Sequence, residues 1–341
     1  MVMDYLLTLI VPVALAICVL YGNKNLGNQD AFMNKEFTRA LRGACCIIVI
    51  LVHIPLAYAN KLQDGIGSFA YVCVTLFFIM SAYGMNISAS RSPAYLRHFW
   101  RNRLSALLIP QLLVNLSVVV GFMLINVINR GGKPSFLTLV HINGYVLVLL
   151  QYCLWFYLVT LGRYFYGERT AQLMLIIGVA VSSLVMYFCF DANDWCYERW
   201  GLVWGVLLFL YMPKVKRLVK PNVQKIVAFG LLGFMLGAAY LKFKPVFFYG
   251  EYLLKIVLGM TIILLLFTLS SQRKFGNKAI NFLGDISYEV YLSHHVVMTV
   301  LSSLFPLLPS GCFILITVLG TIMLSAILHH VGSFLVKRCR I

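Results

Sequence analysis

The 341-residue chain is 61% hydrophobic and only 11% charged, against roughly 25% charged residues in an ordinary soluble domain. A chain with so few polar groups is excluded from the soluble globular class. Its net charge of +17 calls for no nucleic acid, because most of it reads as a topology signal and as attraction to anionic lipid headgroups.

The apolar residues come in long continuous runs. A run of about 20 residues matches a hydrocarbon core about 30 Å thick, and a helix satisfies its own backbone there. Continuous runs select helices over the alternating strands of a barrel. Eleven spans are expected, at 5–22, 43–59, 68–88, 104–128, 148–166, 171–190, 197–212, 226–241, 250–270, 283–304 and 311–335. The stretch 136–147 is open between loop and partial helix. The fold class is therefore an all-α, polytopic transmembrane bundle in one membrane domain. Between these spans or at their ends, 21 Lys and Arg fall on one side and 6 on the other, with Lys255 deeper inside a span. The positive-inside rule places the first set in the cytoplasm, with the N-terminus outside and the C-terminus inside. Of the nine cysteines, only Cys196 lies in an outer loop, so no extracellular disulfide framework is expected.

In chain order, the first span lacks a basic flank and reads as a retained helix, not a cleaved signal. The second begins beside Arg42 and carries His53. Eleven residues at about 100° each return to within about 20° of the starting face and rise about 16 Å. An arginine at the cytoplasmic mouth thus shares a helix face with a mid-membrane imidazole, suited to an extended anionic substrate. The same spacing also suits a topology arginine plus a histidine in a helix interface. The third span ends in Ser81, Tyr83, Gly84 and Asn86, which fits close helix packing or substrate contact. A basic loop with Arg97, His98, Arg101 and Arg103 follows, as a topology signal or a phosphate clamp. The fifth span holds Trp155.

On the tenth span, Ser287, Tyr291 and His294 fall at i, i+4 and i+7, on one face. His295 follows, and the two neighbouring histidines should lie at the depth of His53. Asp285 and Glu289 form a separate stripe. Glu289 is expected to orient a basic group from a neighbouring helix, with Arg42 the candidate. Ionisable groups inside a membrane are functional candidates by default.

These fragments together resemble the membrane acyltransferases of the acyltransferase-3 type. Arg42 through His53 looks like that family's arginine, ten residues, histidine signature. Phe77 to Gly84 is similar to its Phe-Phe-x-x-Ser-Gly-Tyr stretch, and Phe99 through Arg103 up to Pro110 to its basic segment before a proline. Leu154 to Leu158 is similar to its Trp-Phe-Leu segment, and Leu283 to His294 to its Ser-Tyr-x-x-Tyr-Leu-x-His run. Ala82 replaces a frequent glycine and Ala106 a common further arginine. The resemblance implies an extra N-terminal helix and loop over 1–34 and a membrane acyltransferase domain over 35–341.

It further implies an acyl-CoA donor, most often acetyl-CoA, on the cytoplasmic side. The implied acceptor is a hydroxyl of a cell-surface polysaccharide or its lipid-linked precursor. The implied setting is a bacterial cytoplasmic membrane. Under it, His53 is the base or nucleophile, in a catalytic set with Arg42, His294 and Glu289. Arg42, Arg101 and Arg103, with Ser81 and Tyr83, hold the donor, and Trp155, Ser287 and Tyr291 line the substrate pocket. The expected partners are acyl-CoA, a glycan and membrane lipid; no metal is expected. A proton-coupled transporter using His53, His294 and Glu289 as a relay also explains buried ionisable groups. It leaves the Arg42–His53 register beside a basic loop unexplained.

Overall fold

The computed structural model describes residues 2–25, 32–129, 136–190, 195–275 and 277–340. The first helix, α1 (Val2–Leu20), is largely apolar, with Asp4 in its first turn, and packs on the last, α15 (Ser310–Arg340). Asn34 caps the start of α2 (Lys35–Val52), its side chain accepting from the Phe37 backbone N–H at 2.8 Å. The helix ends at His53, so it lies seven to eight residues N-terminal of the expected span 43–59. Two causes act together. A polar first turn continues a helix past the lipid boundary at no desolvation cost, and Pro55 disfavours helical backbone just before it.

After a 3₁₀ turn at Leu56–Tyr58, α3 (Lys61–Gly67) opens with a reciprocal Asn60–Gln63 capping box and leads into α4 (Ala70–Arg91). Then come α5 (Phe99–Asn129), with Pro110 inside it, α6 (Phe136–Val140) and α7 (Gly144–Tyr166). The stretch left open between loop and partial helix thus contains one five-residue helix. Gly167, at φ 84°, turns the chain directly into α8 (Glu168–Cys189). A positive φ favours glycine, which has no Cβ to clash.

The chain continues through α9 (Trp200–Leu210), α10 (Met212–Leu218) and α11 (Val223–Phe243). A π-helical turn at Tyr249–Leu254 precedes α12 (Lys255–Ser270). A two-stranded antiparallel ribbon, β1 (Asn23–Asn25) with β2 (Arg273–Phe275), ties the α1–α2 connection to the segment before α13 (Lys278–Asp285). The last pair is α14 (Ser287–Leu304) and α15.

Among the described residues, eight helical stretches are long and apolar enough to cross a membrane. The second, seventh and tenth expected spans, now α2, α9 and α14, are not among them. Helix α9 has only 11 residues, while α2 and α14 carry the ionisable groups. Those two are also well enclosed: α2 packs on α4, α13 and α14, and α14 on α2, α5 and α15. By contrast, α11 has no buried residue and presents an apolar surface outward, as a lipid-facing helix does. Close contacts seat α2. A Cβ on Gly284 would collide with the Arg39 carbonyl, and one on Gly43 with the Ile280 carbonyl, so glycine lets α2 and α13 cross backbone to backbone.

Candidate active site

The α2–α13 crossing sorts the arginines of α2. Arg39 turns toward α13 and pairs with Asp285, Nε to Oδ1 at 2.7 Å. Arg42, about 300° further round the helix, faces a cavity of about 870 Å³ bounded by α2, α4, α5, α7 and α14. The Arg42 Nε is buried without a hydrogen-bond partner. Lys35, Arg91 and Arg103 line the same cavity, and among the described residues no carboxylate does. Arg103 is braced at the wall: its Nη2 donates to the Tyr95 hydroxyl at 2.9 Å and its guanidinium lies 5.9 Å from the Phe99 ring centre.

Ser81, Tyr83, Ser287 and Tyr291 also line this space. Six of the residues read from the sequence therefore meet in one cavity. Ser81 donates to the Phe77 carbonyl and Ser287 to the Gly284 carbonyl, each at 2.9 Å. Both present oxygen lone pairs to the interior. Ala106 lines the wall as well, where a longer basic side chain would occupy part of the volume.

Two expected members lie elsewhere. Arg101 is exposed and does not line the cavity; two residues along a helix is about 200° of rotation, so Arg101 and Arg103 face opposite ways. Arg91 and Lys35, not read from the sequence as site residues, line the cavity instead. Trp155 lies in a separate pocket of about 390 Å³ with Gln151, Ser182 and Arg199, its Nε1 donating to the Met174 carbonyl at 3.2 Å. On α7 the cavity receives Tyr145 and Leu149, and Trp155 is off that face.

Past Tyr291 the polar face of α14 continues. The Tyr291 ring packs on Tyr145 at 4.5 Å and on Phe77 at 6.3 Å, and stands 6.1 Å from His294. His294 in turn meets His53 at 4.7 Å and His295 at 4.2 Å between ring centres, and His53 and His295 are 4.8 Å apart. The three imidazoles thus share one depth. His53 Nδ1 lies 2.8 Å from the Val49 carbonyl, and His294 Nδ1 lies 3.2 Å from the Val290 carbonyl. A carbonyl only accepts, so in the neutral rings Nδ1 carries the hydrogen and Nε2 keeps its lone pair. Position 53, at the helix end, also lets the ring reach both neighbours on α14. That His295 joins the cluster is not legible from its place beside His294.

Glu289 is buried and faces α15, not Arg42. One of its carboxylate oxygens lies 3.0 Å from His329 Nδ1. The Ser293–Ser325 hydroxyl contact at 2.9 Å sets this register one turn away. Glu289 lies about 140° from His294 around the helix, so the carboxylate and the histidine cluster occupy different interfaces. His329 is a partner that the sequence reading missed. Its only local signal is the His329-His330 pair in the final apolar run.

Residues 35–330 match a family described as an acyltransferase domain. Comparison with curated proteins and with solved structures returns no match.

Proposed function

Because the chain belongs to the acyltransferase-3 family of acyltransferase domains, a membrane acyltransferase, we propose that it takes the acyl group, an acetyl group first, from cytoplasmic acyl-CoA. The acceptor in this reading is a hydroxyl of a cell-surface polysaccharide or its lipid-linked precursor, and the setting is a bacterial cytoplasmic membrane.

The observation that carries the reading is that the cation-lined cavity ends at Ser287 and Tyr291, on the α14 face that continues to the histidine cluster. Coenzyme A is a long polyanion. Four cations with no lining carboxylate among the described residues suit its phosphates, with Arg42 and Arg103 able to engage them by charge-assisted, paired hydrogen bonds. Ser81 and Ser287 present acceptors to the amide N–H groups of the pantetheine arm. The thioester end then points along the Ser287–Tyr291–His294 face, and the Tyr145–Tyr291 contact must part to let it reach the imidazoles.

There His53 acts as the base. Its Nε2 takes the proton of the acceptor hydroxyl, and the oxygen attacks the thioester carbonyl. The tetrahedral oxyanion, stabilised by a tyrosine hydroxyl such as that of Tyr83 or Tyr291, collapses to the ester, and the coenzyme A thiolate leaves with the proton from His53. Imidazole suits the task because its ordinary pKa lies close to neutrality. His294 packs on His53 and fixes its plane, while Glu289 holds α14 to α15 and acts only through position.

Mass spectrometry of surface glycans from cells with and without this chain tests the activity: an acyl mass increment should vanish without it. The His53→Ala variant should be inserted and abundant yet leave glycans unacylated. Acylation near the wild-type level in that variant would remove His53 from the mechanism.

A further inference from the structure

The histidine cluster holds more than a base requires. Ring nitrogens of His53, His294 and His295, one from each residue, lie within 4.8 Å of one another. His294 is 2% exposed, and its Nε2 is buried with no hydrogen-bond partner. An acceptor buried in that way is costly unless something electron-poor meets it.

The outer contacts are those of a ligand set. His53 and His294 each give Nδ1 to a backbone carbonyl, and this arrangement fixes the tautomer and orientation of metal-bound histidine. Three neutral imidazoles without a carboxylate or thiolate suit a borderline first-row ion, not Mg²⁺ or Ca²⁺. They also leave a fourth tetrahedral position open. The spacing must close from 4.8 Å to about 3.4 Å for Zn–N bonds of about 2.1 Å. His295, whose ring makes no hydrogen bond among the described residues, is free to rotate toward the other two, and small rotations of His53 and His294 about their Nδ1 contacts close the rest.

We propose that His53, His294 and His295 form a site for one divalent first-row transition ion of the Zn²⁺ class. The sequence reading expected no metal, because two ligands are adjacent on α14 and the third ends α2, which matches no local ligand spacing. One consequence rests on the role proposed for His53. An ion held there takes the lone pair that deprotonates the acceptor, so metal binding switches acyl transfer off.

The test uses the full chain purified in detergent, stripped with a chelator and titrated with Zn²⁺ without any acyl donor. One ion per chain should bind, and thermal unfolding should shift upward with zinc. The His295→Gln and His294→Ala variants should each weaken binding by at least about tenfold, while His329→Gln keeps wild-type affinity. Co²⁺ in place of Zn²⁺ should give the visible absorption of a four-coordinate imidazole site, absent from His295→Gln. Zinc binding that is undetectable, or equal in wild type and both cluster variants, overturns the site. This arm stands even where no acyl transfer is found. In the activity arm, Zn²⁺ should abolish transfer by the wild type, a chelator should restore it, and His295→Gln should turn over and resist zinc. Transfer that rises with zinc would overturn the inhibitory consequence.

Discussion

Arg42 and Arg199 both lie within the helical body, and their surroundings put them to opposite uses. Arg199, 4% exposed at the start of α9, donates from Nη1 to Gln151 Oε1 at 3.1 Å and to Ser182 Oγ at 2.7 Å. Protein acceptors from α7 and α8 answer its charge, and Glu198 is its chain neighbour. Arg42 shares its cavity with Lys35, Arg91 and Arg103, with no carboxylate in the lining among the described residues. Lys35 and Arg91 are exposed at the mouth, whereas Arg42 and Arg103 are half-buried and the Arg42 Nε is buried without a hydrogen-bond partner. Holding an unpaired cation away from water is costly, which favours an anion there. An ionisable residue in a membrane span marks a site when the protein withholds its partner, and marks architecture when the protein supplies one.

That contrast is sharpest at Arg199. Replacing it with Met removes its charge-assisted hydrogen bonds to Gln151 and Ser182, at about 1.5–3 kcal/mol for each bond to a charged group. Thermal unfolding of Arg199→Met should therefore show a loss of about 3 kcal/mol or more, with kcat/KM per folded molecule near wild type. A stable but inactive Arg199→Met protein would break the distinction by giving the second pocket a catalytic role.

Arg42→Gln should behave in reverse. Loss of a charge-assisted bond to phosphate, about 1.5–3 kcal/mol, lowers kcat/KM for acyl-CoA by roughly 10- to 150-fold. Its unfolding temperature should stay level or rise, because an unpaired, half-buried cation is removed. Steady-state kinetics and a melt on the same preparation read both.

Glu289→Gln probes a third case, a carboxylate whose partner is His329. Loss of the charge leaves that interface weaker by about 1–2 kcal/mol, the order of a hydrogen bond to a charged group. Yield and unfolding temperature should fall together with activity, whereas His294→Ala should keep its yield and lose turnover. A normally stable Glu289→Gln protein without turnover would move Glu289 into the chemistry.

The smallest effect separates two neighbouring arginines. Arg103→Gln should raise the KM for acyl-CoA by about tenfold, a change of about 1.4 kcal/mol, with little change in kcat. Arg101→Gln, on the exposed face, should leave KM unchanged. Equal effects from the two would mean that the donor extends over the outside of α5.

Much of this was legible along the chain because a helix has a fixed period. The spacing of Arg42 and His53, and the face shared by Ser287, Tyr291 and His294, follow from about 100° per residue, and the structure lines them up along one cavity and one cluster. The same arithmetic, applied to Arg101 and Arg103, separates their faces, although a basic loop reads as a single patch in the sequence. Trp155 lines a pocket apart from the cation-lined cavity for a related reason: its family-like segment says which helix it is on, not which neighbour its face meets.

What sequence alone determined is therefore the solvent of the chain, its helical class and the direction of each side chain around its own axis, since hydropathy and helical period are local properties. The meeting of His53 with His294 and His295, the pairing of Glu289 with His329 and the early end of α2 were decided only by tertiary structure. Those contacts depend on how helices slide and rotate against one another. That registry comes from the backbone crossing at Gly43 and Gly284 and the Ser293–Ser325 contact, between residues too far apart along the chain for any periodicity to couple them.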